Sequence, residues 1–421
     1  MRLSQVLRSI IAGSALLLTA ACLDDQPGIV GPDAGPQTHG TQHADHAMFV
    51  DAARAAWHYA DTQYQPETGL INSVHGYKYA TMWDIASGLS AMYCANRLGL
   101  LSGGEYDRRM SRALKTLAAM RLFEDVAFSK NYSTTTAAIM GRDDRDTQSS
   151  ERGTGWSATD IGRLLIWLHI IAVKQPQYAD EINRIVARME LGQLVADGYL
   201  VGADVDAAGN VRRYSEGRLG YEQYAAMGFA LWGHSPQRAL RLGENTFGIE
   251  VLGVPLLADR RGGDYLTSEP FIMAGLEVGW DAEMRAFSGR VLQVQQERFK
   301  RTGQMTMVSE DHVPVAPWYF FYYSINHHGQ QFVVNAQGSD ADLQQPRWIS
   351  AKAAFAWHAL LPGAYTRDAV SAVAAARNAE RGWSSGVYED GRGPTGSENI
   401  NTAAVILESA LYTRSLVPLS R

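Results

Sequence analysis

The chain has 421 residues, 46% hydrophobic and 19% charged, with a formal net charge of −6. That supplies apolar material for a large core, and an acidic balance without a long basic run excludes a nucleic-acid backbone as partner. Its two cysteines, Cys22 and Cys94, exclude a disulfide framework and a cysteine zinc cluster.

Residues 1–22 read as a targeting segment. Arg2 and Arg8 give a positive start, and Ile10 to Leu18 is an apolar run too short to span a bilayer. Leu18-Thr19-Ala20-Ala21-Cys22 resembles a bacterial lipoprotein cleavage box, so Cys22 is expected to become the lipidated first residue. Cleavage of an ordinary signal peptide near Ala20 or Ala21 is the alternative. Leu23, with no Asp after the cysteine, favours outer-membrane sorting, hence an envelope protein facing the periplasm. Residues 23–41, rich in Gly, Pro, Asp and Gln, read as a flexible tether, and 42–421 as one domain.

Within the domain, Ala44–Ala60, Met82–Leu98 and Glu105–Arg121 have helical periodicity. Ser157–Val173 and Tyr178–Val195 form a pair broken at Pro176. Tyr221–Trp232 precedes a short Pro236–Leu242 segment, Pro270–Trp280 pairs with Ala282–Arg301, Ser350–Leu361 pairs with Thr366–Arg377, and Thr402–Tyr412 ends the series. Two hairpins interrupt it: Tyr199–Val205 with Val211–Tyr214, and Trp318–Ile325 with Phe332–Asn335 around a Gly329 turn. Recurring helix pairs cannot bury their apolar faces alone. The expected fold is all-α, an (α/α)6 toroid of about twelve helices, six inner and six outer, with short β-hairpin insertions.

Six of these helices open on a polar residue, usually beside a ring: Trp83-Asp84, Trp156 before Asp160, Tyr221-Glu222, Glu269-Pro270, Trp348 before Lys352, and Asn399 before Asn401. Helix capping explains any one such acid, but it does not require the rings. In a closed ring, all six starts can face one basin. Two carboxylates flank glycines in Tyr214-Ser215-Glu216-Gly217-Arg218-Leu219-Gly220-Tyr221-Glu222. Ser309-Glu310-Asp311-His312 sets two acids side by side on a loop, each expected to raise the pKa of the other. Val387-Tyr388-Glu389-Asp390-Gly391 repeats the pattern at a turn. One protonated acid, one ionised acid and stacking rings are what glycosidic hydrolysis needs. Arg142-Asp143-Asp144-Arg145-Asp146 sits in a polar loop, and His327-His328 has no evident third ligand, so neither metal nor cofactor is expected.

The chain resembles a group of uncharacterised bacterial lipoproteins and envelope domains similar to glucoamylase-like six-hairpin α/α-toroid glycoside hydrolases. The resemblance rests on Met82-Trp83-Asp84, Gly155 to Arg163, Glu216 to Ala225, Thr267 to Pro270, Ser309 to His312, Ser350 to Leu360 and Gly382 to Glu389. It implies a toroid over residues 44–412, and hydrolysis only by analogy. The resulting expectation is a lipid-anchored envelope glycoside hydrolase that cleaves a glucan or exopolysaccharide with inversion. Glu222 or Glu310 is expected to donate the proton, with the base among Asp84, Glu216, Glu269 and Asp311. Trp83, Trp156, Tyr221, Trp348 and Tyr388 are expected to stack sugars, and Arg218 and Lys352 to orient hydroxyls or an acidic substituent. The alternative is a non-catalytic glycan-binding or assembly lipoprotein that holds polymer for a polysaccharide synthase or export complex.

Overall fold

In a computed structural model, residues 39–141, 152–261, 265–316, 319–336 and 346–421 are described, with side chains from Asp45 onward. Cys22, the signal segment, tether residues 23–38, the Arg142–Asp146 run and Trp318 lie outside the described residues.

Local sequence sets the helix ends. The first helix, α1 (His39–Thr62), starts three residues inside the expected tether. Thr81 caps α2 (Met82–Arg97) in a capping box with Asp84, and Ser102 caps α3 (Gly103–Ala119). Ser157 caps α4 (Ala158–Lys174), which stops at Pro176 before α5 (Ala179–Ala187). Next come α6 (Tyr221–Leu231) and α7 (Glu269–Met273), the latter with Pro270 in its first turn and continued by a π-turn, Ala274–Val278. Asp281 caps α8 (Ala282–Thr302), which ends on left-handed Gly303. The last three are α9 (Ala351–Leu360), α10 (Ala364–Ala372) and α11 (Ile400–Tyr412), the last capped by Asn399.

Helices α2, α4, α6, α7, α9 and α11 pack each on the next, and α11 packs back on α2. The others flank this set: α1 on α11 and α2, α3 on α2, α5 on α3 and α4, α8 on α7, α10 on α9. Burial follows the same division. Every residue of α9 is buried, whereas α3 buries one apolar stripe of Tyr106, Met110, Ala113, Leu114 and Leu117. Small residues let inner helices touch. A Cβ on Gly162 would stand 2.6 Å from the Ala225 Cβ, and one on Gly228 would stand 2.0 Å from the Gly162 carbonyl, so α4 and α6 meet backbone to backbone.

Eleven α-helices form among the described residues, against about twelve expected. Pro236–Leu242 makes turns instead of a helix. Its seven residues, lying between Gly233 and Gly243, are too few to offset helix nucleation. Beyond them lies a hairpin that the sequence reading missed, Thr246–Val251 with Val254–Asp259. Its turn places Leu252 at φ 52° and Gly253 at φ 83°. Leucine is a poor advertisement for a left-handed turn position, which hid the hairpin. The two expected hairpins form, the first as Tyr199–Val205 with Val211–Ser215 and the second as Phe320–His327 with Gln330–Asn335. The second gains a third strand, Glu310–His312.

Candidate active site

The inner-helix starts are polar because first-turn N–H groups need acceptors. Asp84 does act as a cap: one carboxylate oxygen accepts the Thr81 N–H and hydroxyl, each at 2.9 Å. Its other oxygen accepts Asn401 Nδ2 from the start of α11, also at 2.9 Å. A cap on one helix is thus shared with the next.

These starts open on one cavity of about 930 Å³. Its wall holds Trp83 and Asp84 of α2, Ser157 and Asp160 of α4, Arg218 and Tyr221 of α6, Lys352 of α9, and Asn399 and Asn401 of α11. Strand Glu310–His312 and the rings Tyr265, Tyr319, Phe320 and Tyr322 close another side.

The wall has two acidic sides. On the first, Asp84, Asp160 and Glu216 cluster at α2 and α4. Glu216 accepts the Ala158 N–H at 2.9 Å and the Thr159 hydroxyl at 3.1 Å, which ties it to the α4 N-terminus. Burial, and next the nearby Glu216 carboxylate, push the Asp160 carboxyl up to about 7. Burial also raises Asp84 above the usual carboxylate range, against its hydrogen bonds from Thr81 and Asn401.

On the second side, Glu310 accepts the Tyr221 hydroxyl at 2.5 Å and lies 3.9 Å from Arg218. Burial, and next the Glu269 carboxylate, push Glu310 up to about 8, so it keeps its proton at neutral pH. Beneath it, Lys352 Nζ stands 2.5 Å from Glu269 and 3.5 Å from Asp311. Trp348 Nε1 donates to Asp311 at 2.8 Å, and burial brings Asp311 up to about 6. Between the two sides, the Arg218 guanidinium donates to the Tyr322 hydroxyl at 2.8 Å and lies 4.5 Å over the Tyr221 ring. His312, also in the wall, is pushed down to about 4 by burial and bonds Ser397 Oγ at 2.5 Å.

Of the expected catalytic acids, Asp84, Glu216, Glu310 and Asp311 line the cavity. Glu269 sits one layer beneath, reaching it through Lys352. Glu222 lies behind the wall, where it accepts the Leu200 N–H at 3.1 Å and pairs with Arg261 at 2.7 Å. Of the expected sugar contacts, Trp83, Tyr221, Arg218 and Lys352 line it. Trp156 instead donates to the Val201 carbonyl and packs on Phe123, and Trp348 is spent on Asp311. Tyr388 pairs with Trp348 across a two-stranded sheet, under Arg392. Glu389 beside it forms a bidentate pair with Arg298.

The expected loop acids Glu310 and Asp311 lie in a strand. The charges that act on Glu310 after burial are those of Glu269, Arg218 and Lys352, which come from other segments. Asp160 stood among the six helix starts expected to face the basin but not among the expected catalytic acids, although Ser157-Ala158-Thr159-Asp160 repeats the Thr81-Met82-Trp83-Asp84 box. That repeat was signal enough to place both at the site. Tyr214, at the head of the run that carries Glu216, lines it too, as do Tyr77, Tyr79, Lys130, Asp204 and Tyr265, from loops and strands without a spacing that marks them. Among the described residues, no three His, Cys, Asp or Glu side chains are grouped to hold a metal, and no helix is long and apolar enough to cross a membrane. His327 stacks on Tyr265 with ring centroids 4.4 Å apart.

The fold is shared with solved structures at low identity. A candidate glucoamylase from Bacteroides caccae ATCC 43185 matches with TM-score 0.66 and 13% identity, over 88% of this chain and 94% of that one. The endo-β-1,2-glucanase of Chitinophaga pinensis, in complex with sophorotriose and glucose, matches with TM-score 0.60 and 12% identity, over 88% and 93%. That of Talaromyces funiculosus, with sophorose, gives 0.60 and 10%, over 90% and 86%. No curated protein sequence matches the chain. Across residues 51–415 the sequence fits the model of DUF3131, a protein family of unknown function, and the chain belongs to that family.

Proposed function

We propose that this protein is a glycoside hydrolase of the cell envelope, built as an (α/α)6 toroid, that cleaves a glucan with inversion. The observation that carries the reading is a carboxyl held protonated, Glu310, in the same ring-lined cavity as Asp84 and Asp160 on the other acidic side. Its likeness in fold to endo-β-1,2-glucanases supports a glucan as substrate.

In this scheme Glu310 gives its proton to the glycosidic oxygen as the C1–O bond breaks. Water attacks C1 from the opposite face and passes its proton to Asp160 or Asp84. Arg218 balances the carboxylate that Glu310 becomes, and the Tyr221 hydroxyl holds that carboxylate in place. Asp84 has three of its acceptor positions occupied, so Asp160 is the better placed base. Glu216, committed to the α4 N-terminus, makes Asp160 more basic by like-charge repulsion instead of reacting.

The test is incubation of the purified protein with linear β-1,2-glucan, β-1,3-glucan and bacterial exopolysaccharides, with products read by chromatography and their anomeric form by NMR. Oligosaccharides released with inverted configuration, and lost in Glu310→Gln, bear the proposal out. Binding without any product would replace it with the glycan-holding alternative. Lipid attachment at Cys22 and the outer-membrane location belong to the same proposal. Labelling with radioactive palmitate, lost in Cys22→Ser, checks the anchor.

A further inference from the structure

We infer that the cavity takes an uncharged sugar chain and turns away uronate- or phosphate-bearing polymers, because three of the four cations in its wall are already matched by carboxylates and three further carboxylates are matched by none. This deepens the hydrolase reading and rests on it for turnover, although binding can be measured separately.

Four cations line the cavity among the described residues: Lys130, Arg218, Arg261 and Lys352. Lys352 is held by Glu269 at 2.5 Å and Asp311 at 3.5 Å, and Arg261 by Glu222 at 2.7 Å and Asp259 at 2.9 Å. Lys130 stands 3.6 Å from Asp204. The fourth, Arg218, donates to the Tyr322 hydroxyl at 2.8 Å and lies 3.9 Å from Glu310, which carries its proton, so Glu310→Gln leaves the charge of the wall unchanged. To capture an acidic polymer, Lys130, Arg261 or Lys352 would have to leave a fixed partner, and Arg218 already interacts with the Glu216 and Asp160 carboxyls. For Lys352 and Arg261 that partner is buried, and stranding it unpaired is costly.

The remaining acids push the same way. Among the described residues no ion pair reaches Asp84, Asp160 or Glu216, all in the wall. Carboxylates accept hydrogen bonds from sugar hydroxyls and repel sugar carboxylates and phosphates. The partly exposed rings of Tyr77, Tyr79, Tyr214 and Phe320 offer flat apolar faces that suit the C–H face of a neutral sugar.

The experiment measures binding to Glu310→Gln, which holds substrate without turning it over. Linear β-1,2-glucan and β-1,3-glucan are each compared with the same polymer oxidised at C6 to the carboxylate, in low and high salt. The neutral form should bind, and the carboxylated form should bind about tenfold or more weakly at low salt, with the gap narrowing as salt rises. Asp204→Asn, which leaves Lys130 without its carboxylate, should shift the ratio several-fold toward the carboxylated polymer. Equal or tighter binding of the carboxylated form overturns the inference, as does an unmoved ratio in Asp204→Asn or binding of no neutral glucan. If neutral glucan binds yet the wild-type protein releases nothing, the hydrolase reading falls and the charge rule stands. If wild type cleaves both forms equally fast, the charge rule falls and the hydrolase reading stands.

Discussion

Two sets of buried carboxyls in this protein look alike electrostatically and differ in access. In the cavity, Glu310 is pushed up to about 8 by burial and the neighbouring Glu269. Deeper, where five inner helices meet, Glu408 is also pushed up to about 8, by burial and the neighbouring Glu277. That inner pair is sealed. Arg163, itself fully buried, stands 3.5 Å from Glu277 and 3.4 Å from Glu408, and Trp167 and Ser90 donate to the same carboxyls. A raised carboxyl pKa therefore marks desolvation, and solvent access decides which one can do chemistry. The two sets are joined: Arg163 lies 5.1 Å over the Trp83 ring and 3.5 Å from Asn401 Oδ1, so the sealed network supports the cavity floor.

Substitution should separate the sets. Glu310→Gln should lower kcat on a cleavable glucan by about 10³-fold while leaving its KM within a few-fold, as expected for loss of a general acid. Steady-state kinetics check this, and a drop in kcat below tenfold would remove Glu310 from the chemistry. Arg163→Met should act through stability. It strands two buried acids and should cost about 3–5 kcal/mol in urea unfolding, with the pH profile of the remaining folded enzyme unchanged. A displaced pH profile would mean that the sealed acids titrate with the site.

The pH dependence is a finer probe. The acid must be protonated, so activity should fall as pH rises through about 8, the value of Glu310. If Asp160 is the base, activity should rise through about 7, giving a narrow bell. Asp160→Asn should then abolish most turnover, while a rising limb well below 7 would hand the role to Asp84. Stability follows with its own sign. A folded-state pKa raised above the unfolded carboxyl value means that the native state binds more protons between the two. Stability is thus fully present below about 4.3 and lost as pH rises toward about 8. Thermal melts should show Tm falling over that window, and Glu310→Gln should flatten the slope. The smallest effect is expected at the rim, where Tyr214→Ala should raise KM about three- to tenfold with kcat nearly constant. No change in KM would mean that sugar does not stack there.

The helix pairs and most of the cavity wall were legible in the sequence, and the residues show why. Thr81 and Asp84, Ser157 and Asp160, and Asn399 stand at helix starts because local N–H groups demand acceptors, and a local demand leaves a local pattern. The sealed acids left a weaker trace: Glu277 and Glu408 are single charges inside apolar helices, an anomaly that points to a buried partner without naming it. Trp156 and Trp348 matched the pattern of a ring beside a polar helix start as well as Trp83 did, yet they face Val201 and Asp311.

By itself the sequence determined where helices begin and end, which residues cap them, and that their small-residue faces had to pair, since caps, prolines and apolar periodicity act within a few residues. Only the tertiary structure decided that α11 returns to α2, that Glu222 turns behind the wall toward Arg261 while Glu310 enters the cavity, and that Lys352 is clasped by Glu269 and Asp311. Those outcomes depend on packing between distant segments, 317 residues apart for Asp84 and Asn401, and short-range patterns carry no information about such distances.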